Sequence, residues 1–175
     1  MRGARATVGS VIFFCVAPGV VVGLGPWLLT GWRLRPMGDW YGPVRVVGGV
    51  LLVAAAAFLV QAFVRFVVEG LGTPAPLAPT ERLVVGGVYR YVRNPMYLAV
   101  VAAILGQAMV LAQPVLVAYA AAVALLQALF VRLHEEPALR RRYGPAYERY
   151  REAVPGWWPR LRPWSGSTGD ALPAD

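Results

Sequence analysis

The sequence predicts an all-α integral membrane protein of about four transmembrane helices, with a C-terminal helical hairpin followed by a cytoplasmic amphipathic segment. Three observations predict it. Of the 175 residues, 58% are hydrophobic and only 15% are charged, against about 25% charged in a soluble domain. Three long stretches carry no charge. The arginines divide unevenly between the loops that join those stretches.

The first uncharged stretch, Ala6 to Trp32, is 27 residues long, more than the ~20 needed to cross ~30 Å of hydrocarbon. It predicts a span over about 8–31, kinked at Pro18 and the nearby glycines. The second stretch, Val46 to Val64, has 19 residues, with Gln61 its only strongly polar side chain. Arg45 and Arg65 bound it as a snorkelling pair, predicting a span over about 46–66. The third, Asn94 to Val131, is 38 residues long. As one helix it would extend about 57 Å, nearly twice the hydrocarbon thickness. It must fold back, and Gln113-Pro114 is the natural break, because proline ends one helix and can open the next. Spans of about 96–112 and 114–132 result. Gln61 and Gln107, inside the second and third spans, are expected to bond to a neighbouring helix, the alternative being that such polar groups mark a substrate path.

Arginine counts give the orientation. With four spans, one side of the membrane receives 14 arginines and the other only Arg33, Arg35 and Arg45. That bias places both termini in the cytoplasm, with a bacterial inner membrane as the expected location. Trp27, Trp32, Trp40 and Tyr41 then form an outer aromatic belt, and Trp157, Trp158 and Trp164 an inner one. Residues 1–164 are read as a single membrane domain, with 133–164 as its cytoplasmic C-terminal segment. Loop 70–80, GLGTPAPLAPT, is a non-helical connector, and the small, polar stretch 165–175 a disordered tail. Within 134–152, short amphipathic helices are interrupted at Gly144-Pro145. Leu139, Tyr143, Tyr147 and Tyr150 share one face, expected to lie on the membrane surface.

The net charge of +8 fits anionic lipid headgroups better than nucleic acid, since the arginines flank apolar spans. Cys15 is the only cysteine, so no disulfide within the chain and no cysteine zinc cluster is expected, and no metal site is predicted. The first apolar run is too long for a cleaved signal peptide.

Two polar clusters stand at the cytoplasmic ends of the hairpin. One is Gly86-Gly87-Val-Tyr89-Arg90-Tyr-Val-Arg93-Asn94-Pro95-Met-Tyr97; the other is Arg132-Leu-His134-Glu135-Glu136. A hairpin returns both to one side of the membrane, where they can line one pocket. Carboxylates accept hydrogen bonds or neutralise a cation, arginine holds a carboxylate bidentately, and tyrosines supply walls. These residue types suit a zwitterionic nucleoside, and they suit other ligands too. Arg90 and Arg93 are equally what the positive-inside rule places before a span, and Glu135-Glu136 what a helix N-terminus favours. His134, the only histidine, reads as a surface residue.

The two clusters together resemble the isoprenylcysteine carboxyl methyltransferase family and its bacterial relatives. That family carries a G-x-Y-x-x-x-R-H/N-P-x-Y stretch before a helical hairpin, and GVYRYVRNPMY at 87–97 fits its spacing. It then carries E-E-x-x-L, an aromatic-Gly-x-x-Tyr-x-x-Tyr pattern and a Val-Pro. Glu135-Glu136-Pro-Ala-Leu139, Tyr143-Gly144-Pro-Ala-Tyr147-Glu-Arg-Tyr150 and Val154-Pro155 follow that order. The match covers about 83–160. Two positions depart: Asn94 stands where eukaryotic members carry histidine, and Ala99 where a glycine is common.

The resemblance implies S-adenosylmethionine as methyl donor and a lipophilic small-molecule or lipid-modified acceptor, with carboxylate O-methylation favoured. By motif position it implies cofactor contacts at Tyr89, Asn94, Pro95, Tyr97, Glu135, Glu136 and Tyr147. It implies a catalytic role for Arg93 and Glu136 and an acceptor contact at Arg132. The alternatives are a nicotinamide-dependent membrane reductase of a sterol-like or isoprenoid substrate, and a non-catalytic membrane scaffold.

Overall fold

The structure, a computed structural model, describes residues 18–70 and 83–166. The expectations for the start of the first span, Cys15, loop 70–80 and most of the tail lie outside those residues. Among the described residues every regular element is a helix. Helix α1 is Gly19–Thr30, π-helical over Gly19–Leu24. Helix α2 is Gly42–Gly70, α3 is Pro95–Leu111 and α4 is Pro114–Phe130. A π-helical turn, Val131–Glu135, leads from α4 into α5, Glu136–Ala153.

Two stretches, Asp39–Arg65 and Pro114–Ala153, are long and apolar enough to cross a membrane, while α1 and α3 are apolar but shorter. Their surfaces match that reading. Val46, Val50 and Val53 on α2 are each about two-thirds exposed, as are Leu125 and Leu126 on α4. Water disfavours apolar surface on that scale, and hydrocarbon does not.

The described residues divide into two compact units. One comprises 18–60 and 96–127. Its core holds Val100, Ile104, Ala108, Leu116, Ala120 and Val123, against which Val21, Val22 and Leu59 pack. The turn between α3 and α4 falls where proline placed it. Ala112 takes a left-handed conformation at φ 55°, the Gln113 N–H donates to the Ala108 carbonyl, and Pro114 opens α4. Helices α2 and α3 meet at Gly48 and Gly106. A Cβ on Gly48 would lie 2.9 Å from the Gly106 carbonyl oxygen, and one on Gly106 equally near the Gly48 carbonyl. Only hydrogen fits there, the small-residue contact that lets apolar helices approach closely.

The π-helical stretch of α1 loosens regular backbone pairing, and two side chains meet it. The Tyr119 hydroxyl donates to the Val21 carbonyl at 2.9 Å and the Gln107 amide to the Val22 carbonyl at 2.7 Å. Gln107 thus bonds to a neighbouring helix, as expected, whereas Gln61 is exposed on α2. In hydrocarbon such irregular backbone survives only where protein groups satisfy it.

The second unit comprises 61–70, 83–95 and 128–166. Its core is Leu83, Val85, Tyr143, Tyr147, Tyr150 and Val154, with Leu139, Ala153 and Trp164 packed against it. This corrects one expectation. The Leu139/Tyr143/Tyr147/Tyr150 stripe does share a face, but that face is a protein core and not a membrane surface. The three tyrosines are 1–3% exposed. The stripe finds its partners in two apolar non-helical segments, 83–85 and 154, whose role periodicity does not reveal. Helix α5 breaks at Gly144 (φ 48°, ψ −125°), beside Pro145. That backbone is open to glycine at no steric cost, and it turns the second half of α5 so that Tyr147 and Tyr150 join Tyr143 in the core.

Candidate functional site

The site is built within the second unit by three short pieces of chain. A 3-10 turn, Gly87–Arg90, delivers residues 91–94 to the start of α3, where Pro95 takes the first helical position without needing a donor. The π-turn and the first turn of α5 bring in Glu136. The non-helical segment after α5, residues 154–164, lies along 90–94.

Arg93 is the hub. Its Nη1 donates to Glu136 Oε1 and to the Tyr147 hydroxyl, each at 2.9 Å, and its Nε donates to the Val154 carbonyl at 3.0 Å. The ion pair is largely sheltered, with side-chain exposures of 13% for Arg93 and 22% for Glu136. Burial pushes the Tyr147 phenol up to about 12, with the Glu136 carboxylate adding to that and the Arg93 guanidinium pulling against it. Tyr147 is therefore a neutral hydroxyl at physiological pH.

Backbone hydrogen bonds fix the segment above Arg93. The Arg93 and Asn94 N–H groups donate to the carbonyls of Pro155 and Gly156, and the Arg160 and Trp164 N–H groups donate back to those of Tyr91 and Arg90. The Arg90 side chain adds a bond from Nε to the Trp164 carbonyl. Gly156 lies against the site: a Cβ there would come 3.2 Å from Arg93 Nη2 and 3.5 Å from Asn94 Nδ2. Asn94 Nδ2 is itself buried without a hydrogen-bond partner, a donor waiting for an acceptor.

Of the residues singled out in the sequence, the structure gathers Arg93, Asn94, Glu136 and Tyr147. Tyr89 is buried beneath them, and its carbonyl accepts the Tyr150 hydroxyl at 2.7 Å. Pro95 is buried, and Tyr97 and Glu135 are half-buried. Arg132 is exposed on the π-turn, outside the hydrogen bonds just described. His134 is exposed and stacks on Phe130. No group of three or more potential metal ligands occurs among the described residues. Sequence reasoning missed Gly156, Arg160 and Trp164. The signal for them was Gly156 with Pro155 and Pro159, which marks a chain that cannot continue a helix and must lie across something.

Chemically, the set offers a paired carboxylate, a neutral phenol, a guanidinium with one nitrogen, Nη2, uncommitted in these bonds, and a free amide donor. A family model described as phospholipid methyltransferase matches residues 43–146, a stretch that contains both Arg93 and Glu136. No curated protein and no solved structure matches the chain.

Proposed function

Because the chain belongs to the phospholipid methyltransferase family, of the isoprenylcysteine carboxyl methyltransferase type, we propose that it transfers a methyl group from S-adenosylmethionine to a lipophilic acceptor held in the bilayer. The observation that carries the proposal is the Arg93–Glu136 pair. Two motifs at the two ends of a helical hairpin, 17 residues in each helix, meet in one sheltered ion pair. Nothing in membrane anchoring requires that meeting, and the family match favours methyl transfer over the reductase and scaffold readings.

The residues present fit the cofactor. Asn94 Nδ2 is a buried donor lacking an acceptor, suited to a carboxylate or a purine ring nitrogen. Glu136 can accept from a ribose diol or an amino group, and Tyr147, its ring packed in the core, holds Arg93 in place through its hydroxyl. Glu135, Tyr89, Pro95 and Tyr97 are the further contacts by motif position. When bound, the cofactor supplies a methyl group made electrophilic by its sulfonium. The protein's part is alignment.

Two acceptor chemistries follow from Arg93. A carboxylate acceptor is already ionised and needs no base, and Nη2 is the arginine nitrogen free to meet it, with Arg132 as an outer cation. This is the primary reading. The second is an amine acceptor, as in a phospholipid headgroup. It is favoured by the way Nε and Nη1 are already committed to the protein, which leaves Arg93 less of its fork for an acceptor. Glu136 would then take the proton from the amine.

The four-span topology with both termini in the cytoplasm is part of the same proposal, supported by the arginine bias. The test is calorimetric titration of S-adenosylmethionine into the protein in nanodiscs, followed by transfer of labelled methyl to lipid extracts. Binding that is lost in Glu136→Gln, with label entering a lipid fraction, is the expected result. No binding in nanodiscs or in several detergents overturns the proposal. Base-labile label identifies a methyl ester, and base-stable label an N-methyl product.

A further inference from the structure

The first unit holds a cavity of about 340 Å³ lined by Val22, Trp32, Leu52, Gln107, Val110 and Leu111. It opens beside the loop between α1 and α2, at the C-terminal end of α3. We propose that this cavity holds one acyl chain of an anionic phospholipid whose phosphate is bound by Arg33 and Arg35. The inference rests on the bilayer placement proposed above and not on methyl transfer.

The cavity is large enough to admit water, but it offers water little. Of its lining side chains only Gln107 and the Trp32 indole carry polar atoms, and Gln107 already donates its amide to the Val22 carbonyl. Water needs two to four polar partners to settle in such a space, so an apolar occupant is favoured. Within a bilayer the abundant apolar occupant is a lipid tail.

The charge at the mouth selects the headgroup. Loop residues 31–45 contain Arg33, Arg35 and Arg45 against one carboxylate, Asp39. The backbone ties these arginines to the cavity wall. The Arg35 N–H donates to the carbonyl of Leu111, itself a lining residue, and the Gln113 side chain donates to the Arg33 carbonyl at 3.0 Å. Both arginines are exposed, and Arg33 follows the lining residue Trp32 directly. Arg45 sits behind them. Its Nη2 donates to the Arg35 carbonyl at 2.8 Å, its guanidinium lies over the Tyr41 ring, and its Nε is buried without an acceptor. The backbone of Arg33 and Arg35 is thus held at the cavity wall with both side chains exposed, and Arg45 is bonded to the Arg35 carbonyl, so the loop that borders the cavity carries three cations for a phosphate.

The test uses full-length protein stripped of lipid in detergent. It is titrated with phosphatidylglycerol, phosphatidylcholine or inorganic phosphate and read by native mass spectrometry and thermal shift. Phosphatidylglycerol is expected to bind about tenfold tighter than phosphatidylcholine. In the Arg33→Gln/Arg35→Gln double variant, which changes two exposed side chains, affinity for phosphatidylglycerol falls about 20- to 30-fold. Val110→Phe, which fills the cavity, weakens both lipids. Equal affinity for the two lipids, or an unchanged affinity in either variant, overturns the proposal. So does a thermal shift from inorganic phosphate alone equal to that from phosphatidylglycerol, since the cavity would then play no part. S-adenosylmethionine binding, measured separately, is unaffected by all three outcomes.

Discussion

Arg93 Nη1 lies 2.9 Å from Glu136 Oε1, joining residues 43 positions apart through a pair that is mostly shielded from water. Removing one partner leaves the other charge sheltered and unpaired. Arg93→Ala is expected to cost about 2–3 kcal/mol and to abolish methyl transfer. Arg93→Lys keeps the charge but loses the forked geometry, so it recovers stability better than activity. Chemical denaturation in detergent, alongside a labelled-methyl assay, reads both.

Glu136 and Glu148 separate site chemistry from surface charge. Glu148 pairs with Arg140 and Arg151 on the exposed side of α5, with all three side chains at least a third exposed. Glu148→Gln is expected to change stability by under about 1 kcal/mol and leave S-adenosylmethionine binding intact. Glu136→Gln is expected to lose that binding while the protein remains folded. Calorimetry on both variants checks the contrast.

Tyr147 gives a pH dependence with a definite sign. Its phenol is held up to about 12 in the folded protein, against 10.0 when free. A raised folded value means its contribution to stability is complete below pH 10 and is lost as pH rises from 10 towards 12. Tyr147→Phe removes that dependence, so the pH–stability curves of the two proteins should diverge only in that window. For the same reason Tyr147 contributes no limb to an activity profile below pH 10.

The tyrosine stripe of α5 distinguishes a core from a membrane face. A side chain lying on lipid could be trimmed at little cost. Tyr143, at 1% exposure, is expected to cost about 3–5 kcal/mol on change to Ala. Tyr150→Phe keeps the packing but removes the buried hydrogen bond to the Tyr89 carbonyl, at about 1 kcal/mol. Thermal melts of the two variants in the same detergent measure both.

Gly48 and Gly106 set the separation of α2 and α3. Gly106→Ala would push a methyl against backbone atoms of α2 about 3 Å away, and an overpacked contact of this kind costs about 1–3 kcal/mol. Gly49→Ala, with open space around it, is the control and should melt like the parent protein.

Much of this was legible in the sequence because membranes impose simple rules. An uncharged run of 38 residues has to fold back, and Pro114 marks where. The family was legible because two motifs on either side of that hairpin keep their spacing. What stayed hidden shares one cause. The tyrosine stripe, Gly156, Arg160 and Trp164 depend on non-helical segments, and such segments have no periodicity to betray which surface they cover. Hydropathy likewise cannot tell a tyrosine beside lipid from one beside Leu83 and Val154, since both surroundings are apolar.

The strap over Arg93 has a consequence for how the protein is made. Sixty-one positions separate Arg93 from the Val154 carbonyl it grips. At ribosomal rates of about 5–20 residues per second, the arginine is synthesised roughly 3–12 s ahead of that partner. Once Phe130 closes the hairpin, the rest of that interval leaves a nascent chain with its hairpin but no finished site, so a ribosome stalled between codons 130 and 154 leaves an inactive polypeptide.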